Sequence, residues 1–167
     1  MNIGFYAGSF SPFTNGHLRV VERASKLFDK VIIGIGINKM KKPRYDNHLM
    51  KEAIEKVLER EQLLNVSVIT YDNLSVDAAK TCNATHLIRG VRNSMDYEYE
   101  EKIAAINEDI SGLDTIYIRA GNLGLISSSL VLELIEHGKD VSKYLPKEIL
   151  ELIKKLSLIH ISEPTRP

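Results

Sequence analysis

Short apolar runs alternate along the chain with longer stretches in which apolar residues recur at helical spacing. Five of the runs have the length and composition of buried strands, at residues 2–7, 31–37, 66–70, 86–88 and 115–118. Between them, apolar residues recur every three or four positions, as at Leu18, Val21 and Ala24, with charged residues elsewhere, which predicts amphipathic helices. The pattern is typical of βαβ units. The sequence therefore predicts an α/β fold: a Rossmann-like, doubly wound, five-stranded parallel sheet with helices on both faces.

Capping residues mark where several of these helices begin and end. Asp46 is a candidate N-cap, Gly138 suits the position after a helix at 127–137, and Pro146 opens a last helix. Another helix is expected after residues 89–92. Since there is no internal repeat or low-complexity linker, residues 1–156 are expected to form one domain. Residues 157–167 are expected to be a disordered tail, and a non-native origin of that tail is left open.

Composition and charge exclude several classes of partner. The 167 residues contain 22 Lys and Arg and 22 Asp and Glu, so the balanced charge gives no reason to expect a nucleic acid or a membrane surface as partner. The single cysteine, Cys82, rules out an intramolecular disulfide, and no apolar run approaches the roughly 20 residues of a membrane helix. The first residues resemble no secretion signal, so a cytoplasmic location is expected.

The loop after the first predicted strand is the first candidate site. Gly-Ser-Phe-Ser-Pro at 8–12 and Thr-Asn-Gly-His at 14–17 lead into an amphipathic helix. In an open parallel sheet, such a loop presents backbone N–H groups and a helix N-terminus to ligands. Gly8 is expected to let the backbone approach a ligand, and Gly16 to leave space beside the helix. His17 can donate hydrogen bonds to phosphate, although the helix dipole disfavours its cationic form. The alternative is a plain turn followed by a surface histidine.

Three consecutive serines form the second candidate site. Ser127, Ser128 and Ser129 follow the fifth predicted strand and precede a helix, so hydroxyls and free backbone N–H groups occur together. Such a cluster can hold an anion, but it can also be a serine-rich cap without a ligand.

The two segments resemble the (H/T)xGH and ISS(T/S) signatures of the nucleotidyltransferase superfamily, in the expected order. Within that superfamily, Lys-Lys-Pro at 41–43, Leu-Ile-Arg-Gly-Val-Arg at 87–92 and Asp-Tyr-Glu-Tyr-Glu at 96–100 resemble the bacterial phosphopantetheine adenylyltransferase family. The resemblance covers about residues 2–156. It implies transfer of AMP from ATP to 4′-phosphopantetheine, giving dephospho-coenzyme A and pyrophosphate, in a homohexamer.

The resemblance also implies roles for individual residues. Ser9 is expected to touch both substrates, and Lys41, Ser75 and Arg89 to lie on the 4′-phosphopantetheine side. The implied catalytic residues are His17, Lys41, Arg92 and Ser9. For Arg89 and Arg92, a weak surface ion pair is the alternative. Together with Ser9, the implied ATP-binding positions are Phe10, His17, Gly90, Val91, Arg92, Glu100, Leu123, Gly124, Leu125, Ile126, Ser127, Ser128 and Ser129.

The implied chemistry fits this set of residue types. A phosphate monoester is largely dianionic at pH 7, so it can attack the α-phosphorus without a protein base and without a covalent intermediate. The site must then neutralise charge on the α-phosphoryl group and the pyrophosphate, for which cationic side chains, helix N-termini and Mg²⁺ are suited. Mg²⁺ is the expected cofactor, but the sequence assigns no protein ligands to it.

Two departures from the family pattern leave alternatives open. Ser11 stands where the family usually has Asp, and Ser9 where many members have Thr. Losing the carboxylate at position 11 is expected to affect either the loop geometry or the metal affinity. One alternative keeps the chemistry with another acceptor, such as nicotinate mononucleotide or glycerol phosphate. The other is a nucleotide- or coenzyme A-binding module that has lost turnover.

Other nucleotide and metal motifs are missing. The sequence contains no GxxxxGK(S/T) loop and no HExxH, and Gly34 and Gly36 lie inside a predicted strand instead of after the first one. These features exclude a P-loop NTPase, a zincin and a dinucleotide fingerprint. Because His17 stands at a helix start beside a loop, its replacement by alanine is expected to lower turnover with little effect on folding.

Overall fold

The central element is a five-stranded parallel sheet with strand order β3-β2-β1-β4-β5. The structure is a computed structural model that describes residues 1–162, without the side chains of residues 94–96 and 158–162. The strands are β1 (Ile3–Gly8), β2 (Lys30–Gly36), β3 (Val66–Tyr71), β4 (His86–Val91) and β5 (Asp114–Arg119). All five predicted strands are confirmed. β4 is three residues longer than predicted, because residues 89–91 pair with residues 117–119 of β5.

Helices cover both faces of this sheet, as predicted. They are α1 (Asn15–Leu27), α2 (Asn47–Arg60), α3 (Ser75–Thr81), α4 (Ser94–Ser111), α5 (Ser128–Glu136) and α6 (Lys147–Ser162), and a 3₁₀ helix spans Gly121–Leu125. Successive strand residues point to opposite faces: Tyr6 and Ile33 pack with α1, α2, α5 and α6, whereas Phe5 and Ile32 pack with α3. α4 lies against β4 and β5.

The strand order creates a switch point beside β1. The chain runs outward from β1 to β2 and β3, and then returns to place β4 on the other side of β1. In sheets of this kind, the loops that follow the two strands at the switch point diverge and leave a crevice beyond their carboxyl ends. The loops after β1 and β4 therefore border the natural ligand site of the fold.

Local capping explains most of the helix ends. The carboxylate of Asp46 accepts hydrogen bonds from the N–H groups of His48 and Leu49, so the predicted N-cap of α2 is confirmed. Gly138, with a φ of 70°, follows α5 in the left-handed conformation expected of a residue after a helix. α1 begins three residues before Leu18, where the sequence placed its start, because Thr14 caps it.

α6 is longer than the sequence indicated. It continues to Ser162, so the first part of the predicted tail, residues 157–162, is helical; these residues include no glycine or proline that would end a helix. Residues 163–167, the rest of that tail, lie outside the described residues. In the part of the chain that is described, no helix has both the length and the apolar character needed to cross a membrane.

Candidate active site

A cavity of about 300 Å³ opens at the carboxyl edge of the sheet, between the ends of β1 and β4. Its walls come from β1 and the loop after it, the start of α1, the end of β4, α4, and the chain between β5 and α5. Most of the predicted site residues are among those that line it. The lining residues are Tyr6, Ala7, Gly8, Ser9, Phe10, Thr14, Gly16, His17, Val20, Arg89, Gly90, Val91, Arg92, Glu100, Ala120, Gly124, Ile126, Ser127 and Ser128.

The two signature segments, distant in sequence, are in direct contact. The hydroxyl of Ser128 donates a hydrogen bond of 2.9 Å to the carbonyl oxygen of Pro12. A Cβ on Gly16 would lie 2.8 Å from the carbonyl oxygen of Leu123, so only glycine lets α1 pack this closely on the 3₁₀ helix. Both helix N-termini, of α1 and α5, therefore border the same cavity, where they favour an anionic ligand.

His17 is held by a reciprocal cap at the start of α1. The N–H of Thr14 donates to Nδ1 of His17 at 2.9 Å, and the N–H of His17 donates to the hydroxyl of Thr14 at 3.3 Å. In a neutral imidazole, one ring nitrogen accepts and the other carries the proton. Since Nδ1 accepts from the backbone, this hydrogen bond assigns the proton to Nε2. His17 can therefore act as a neutral hydrogen-bond donor.

The environment of His17 keeps it neutral. Its ring packs among the rings of Phe10, Phe13 and Tyr6, at centroid distances of 4.9, 5.5 and 6.4 Å. Desolvation, together with the smaller effect of the nearby charges of Arg92 and Arg89, lowers the pKa of His17 from 6.5 to about 4. The neutral form expected from the helix dipole is thus favoured mainly by burial. His17 is not one of the buried core residues, but its contacts with three aromatic rings mean that its replacement by alanine would also remove packing.

Gly8 has a packing role in addition to the one predicted. A Cβ at Gly8 would lie 3.0 Å from Cζ of Phe10, so the missing side chain makes room for the Phe10 ring; Gly8 also lines the cavity, and the approach of a ligand there stays a prediction. Phe10 has a positive φ of 46° and is only 2% exposed. Its ring is one of the apolar walls of the cavity.

Arg89 and Glu100 form a bidentate ion pair across the cavity wall. Nε and Nη2 of Arg89 donate to the two carboxylate oxygens of Glu100 at 2.6 and 2.8 Å, and Nη1 donates to the carbonyl oxygen of Ala7 at 2.8 Å. The carboxylate of Glu100 is nearly buried, with 11% of its side chain exposed. The ion pair considered for Arg89 is therefore present, but it is partly buried, with 34% of the Arg89 side chain exposed, unlike a weak surface pair. Both oxygens of Glu100 bind Arg89. Arg89, predicted to serve 4′-phosphopantetheine, and Glu100, predicted to serve ATP, form one hydrogen-bonded pair.

Arg92 and the first turn of α5 face the same space. Arg92 lies beside the 3₁₀ helix, where a Cβ on Gly124 would be 3.3 Å from its Cγ. The hydroxyl of Ser127 caps α5 by accepting from the N–H of Leu130 at 3.1 Å. The hydroxyls of Ser127 and Ser128 are thus used within the protein, and first-turn backbone N–H groups of α5 such as that of Ser128 are suited to bind an anion.

Comparisons with known proteins agree with this geometry. A family model described as cytidylyltransferase-like matches residues 5–134. The phosphopantetheine adenylyltransferase of Porphyromonas gingivalis is 44% identical over 147 residues, which cover 87% of this chain and 95% of the relative. This chain belongs to the phosphopantetheine adenylyltransferase family. The Campylobacter jejuni member is 44% identical over 154 residues, covering 91% of this chain and 96% of the relative. The resemblance inferred from the sequence is confirmed.

A solved structure supports the fold independently. A Vibrio parahaemolyticus protein assigned as a nicotinate-nucleotide adenylyltransferase superposes with a TM-score of 0.65 at 16% identity, over 92% of this chain and 99% of that one. At this identity, the match shows the fold alone.

Several residues predicted from the phosphopantetheine adenylyltransferase resemblance do not line the cavity. Lys41 is exposed on the loop after β2, where its N–H bonds the carbonyl oxygen of Asn38 at 3.2 Å. Ser75 begins α3. Both follow neighbouring parallel strands and so lie at the carboxyl edge of the sheet, but outside the cavity wall. The other predicted positions outside the wall belong to the segment that follows β5: Leu123, Leu125 and Ser129.

The site roles implied by the family resemblance left out some residues that the structure places in the wall. Tyr6, Thr14 and Val20 line the cavity. Strand alternation puts Tyr6 on the same face of β1 as Gly8, and the spacing of Thr14 and His17 is that of a capping box. Those two signals were present in the sequence, whereas the role of Val20 depends on how α1 packs. The side chain of Asp96, in the Asp-Tyr-Glu-Tyr-Glu segment, lies outside the described residues.

The wall supplies few ligands for a resident metal ion. Among the residues that line the cavity, Glu100 has the only carboxylate, and both its oxygens bind Arg89. No group of three or more His, Cys, Asp or Glu in the described residues could hold a metal. The Ser11 hydroxyl is sealed from solvent without a hydrogen-bond partner among the described residues. The protein side chains therefore do not fit a Mg²⁺ site of their own, since Mg²⁺ binds through carboxylates and phosphates.

Proposed function

We propose that this protein transfers AMP from ATP to 4′-phosphopantetheine, giving dephospho-coenzyme A and pyrophosphate. The observation that carries the proposal is the contact between the two signature segments, in which Ser128 bonds Pro12 and Gly16 packs on Leu123. That contact places two helix N-termini beside the cations of a single cavity. A polyphosphate is the ligand class that such a cavity suits best.

The reaction requires positioning and charge stabilisation. A phosphate oxygen of the acceptor forms a bond to the α-phosphorus of ATP while the bond to the bridging oxygen of the β-phosphate breaks, and the electron pair leaves on pyrophosphate. The attacking phosphate is already ionised, so no proton has to be removed. His17, kept neutral by its surroundings, donates through Nε2, and Arg92 contributes positive charge. Donors fixed in advance in a partly desolvated site stabilise the charge that develops on the phosphoryl oxygens.

The assignment of the remaining residues follows the family pattern. Ser9, exposed at the mouth of the cavity, touches both substrates, and the Phe10 ring lies against ATP. Lys41 reaches the acceptor phosphate from the loop after β2, and Ser75 lines the acceptor pocket. Arg89 serves 4′-phosphopantetheine while it is held by Glu100. The other positions form the ATP side through their backbone and side chains: Gly90, Val91, Arg92, Glu100, Leu123, Gly124, Leu125, Ile126, Ser127, Ser128 and Ser129.

Three further properties are part of the proposal. Mg²⁺ enters as the counter-ion of ATP, since the wall offers no free carboxylate for it. The chain forms a homohexamer in the cytoplasm. Self-association is supported by apolar residues on α4 that are about 60% exposed or more, namely Tyr99, Ile106 and Ile110. Sedimentation equilibrium measures the assembly, and a monomer at micromolar concentration would contradict it.

An acceptor panel tests the reaction. Pyrophosphate release from MgATP is measured with 4′-phosphopantetheine, nicotinate mononucleotide and glycerol 3-phosphate, each with and without EDTA. We expect pyrophosphate release when 4′-phosphopantetheine is the acceptor and none with the other two acceptors. EDTA should abolish the release. The Arg60→Ala variant, which removes a pair with Glu148 outside the cavity, should behave like wild type. Release with another acceptor would change the substrate, and tight binding without release would favour a module that has lost turnover.

A further inference from the structure

Tyr6 places a phenol inside the cavity beside His17. It lies near the end of β1, is 5% exposed and lines the cavity. Its ring packs edge-on against Phe10 at a centroid distance of 5.1 Å. Its hydroxyl is 3.4 Å from the place that a Cβ on Gly90 would occupy. The ring is thus fixed by an aromatic contact, and the absence of a side chain at position 90 keeps space open around the hydroxyl.

The Tyr6 hydroxyl has no hydrogen-bond partner among the residues that the structure describes. The sealed, unpartnered side-chain oxygens in that part of the chain are those of Ser11 and Thr115, and the Tyr6 oxygen is not one of them. An unbonded hydroxyl that is not sealed, on a residue that lines the cavity, must open into that cavity. Because buried hydroxyls normally make hydrogen bonds, the missing partner is expected to come from a ligand.

We propose that the Tyr6 hydroxyl donates a hydrogen bond to a phosphate oxygen of the nucleotide, next to the one donated by His17. The inference rests on the proposed function, which places the nucleotide on this side of the cavity. Tyr6 lies on the face of the sheet that packs with α1, the helix that carries His17, and the centroids of the two rings are 6.4 Å apart. Arg89, the residue expected to serve 4′-phosphopantetheine, bonds instead to Glu100 of α4.

The chemical state of Tyr6 suits a donor. Burial raises the pKa of the Tyr6 phenol above its usual range, so the group keeps its proton at neutral pH. Tyr6 and His17 are then both neutral groups that can donate a hydrogen bond to the same anion. Hydrogen bonds to charged acceptors are the stronger ones in proteins, so loss of this one should weaken binding by about tenfold.

The test is the Tyr6→Phe substitution, which keeps the ring and removes the oxygen. Calorimetry measures the Kd of MgATP and, separately, of 4′-phosphopantetheine for wild type and variant. We expect the Kd of MgATP to rise about tenfold, with less than a twofold change for 4′-phosphopantetheine and an unchanged Tm. Tyr144→Phe is the matched control, since Tyr144 lies outside the cavity, and it should bind both ligands like wild type.

Each of the other binding results would count against the assignment of Tyr6 or against the proposed reaction. An unchanged Kd for MgATP, an equal loss for both ligands, or a loss confined to 4′-phosphopantetheine would overturn the assignment of Tyr6. Because binding is measured without turnover, a wild-type protein that binds MgATP but releases no pyrophosphate would overturn the proposed reaction and leave the Tyr6 comparison valid. A wild-type protein that does not bind MgATP would overturn both.

Discussion

Replacing His17 by glutamine removes the imidazole while preserving the cap at the start of α1. In that cap, the His17 ring accepts a hydrogen bond from the backbone of Thr14, and glutamine at the same helix position makes the equivalent bond in capping boxes. Alanine is less informative, because it would lose both the cap and the contacts with Phe10 and Phe13. The glutamine variant isolates the titration of the ring.

The size of the effect follows from the pKa of His17. Folding lowers that pKa from 6.5 to about 4, so between these values the unfolded chain binds a proton that the folded protein does not. The contribution to stability is therefore fully present above pH 6.5 and is lost as the pH falls to about 4. Each tenfold change in proton affinity corresponds to about 1.4 kcal/mol. The wild type should lose about 3 kcal/mol through His17, and the variant should not.

Urea unfolding of both proteins at several pH values from 7.5 to 4 measures the effect. Carboxylates that titrate in both proteins cancel in the difference between their free energies of unfolding. Constant losses from the missing aromatic contacts shift that difference equally at every pH. We expect the difference to move by about 3 kcal/mol in favour of the His17→Gln variant as the pH falls. Parallel curves would refute the assignment of a partly buried, neutral His17.

Three further substitutions test the cavity wall and the loop beside it. Gly16→Ala should lower the free energy of unfolding by about 1–3 kcal/mol and weaken ATP binding, because its methyl group meets the carbonyl of Leu123; an unchanged Tm would show that α1 can shift freely. Glu100→Gln should lower the free energy of unfolding in urea by about 3 kcal/mol, since it leaves the guanidinium of Arg89 paired with an uncharged group. An unchanged free energy would mean that water solvates Arg89. Ser11→Ala removes a hydroxyl without a hydrogen-bond partner among the described residues. It should leave the free energy of unfolding unchanged or raise it by up to about 1 kcal/mol; a clear decrease would show that the hydroxyl does make a hydrogen bond.

The strands and both signature segments were predictable because they depend on local patterns. Apolar runs of strand length, helical periodicity and the capping residues Asp46 and Gly138 each act within a few positions of the chain. Alternating βαβ units make the strands parallel, so the segments that follow them lie at the same edge of the sheet, whereas the strand order that brings β4 next to β1 is given by the tertiary structure. Those rules place both signatures at the carboxyl edge of the sheet without any coordinates.

Exact positions at the site depend on packing that the sequence pattern does not give. Gly8 lines the cavity, as expected of a ligand loop, and its lack of a side chain also makes room for the Phe10 ring. Lys41 follows β2 at the correct edge, yet it lies outside the cavity wall. Spacing along the sequence indicates which edge of a sheet a residue reaches, but it does not give distances across that edge.

The amino-acid sequence by itself determined the α/β class, the positions of the five strands and the helix starts at the two signature segments, because periodicity and capping are properties of short segments. Only the tertiary structure decided that His17 is partly buried and neutral, that Arg89 and Glu100 form an ion pair, and that the Tyr6 hydroxyl opens into the cavity. The physical reason is that burial, pKa and hydrogen bonding depend on which side chains meet in space. In this protein those side chains come from strands and helices that are far apart along the chain.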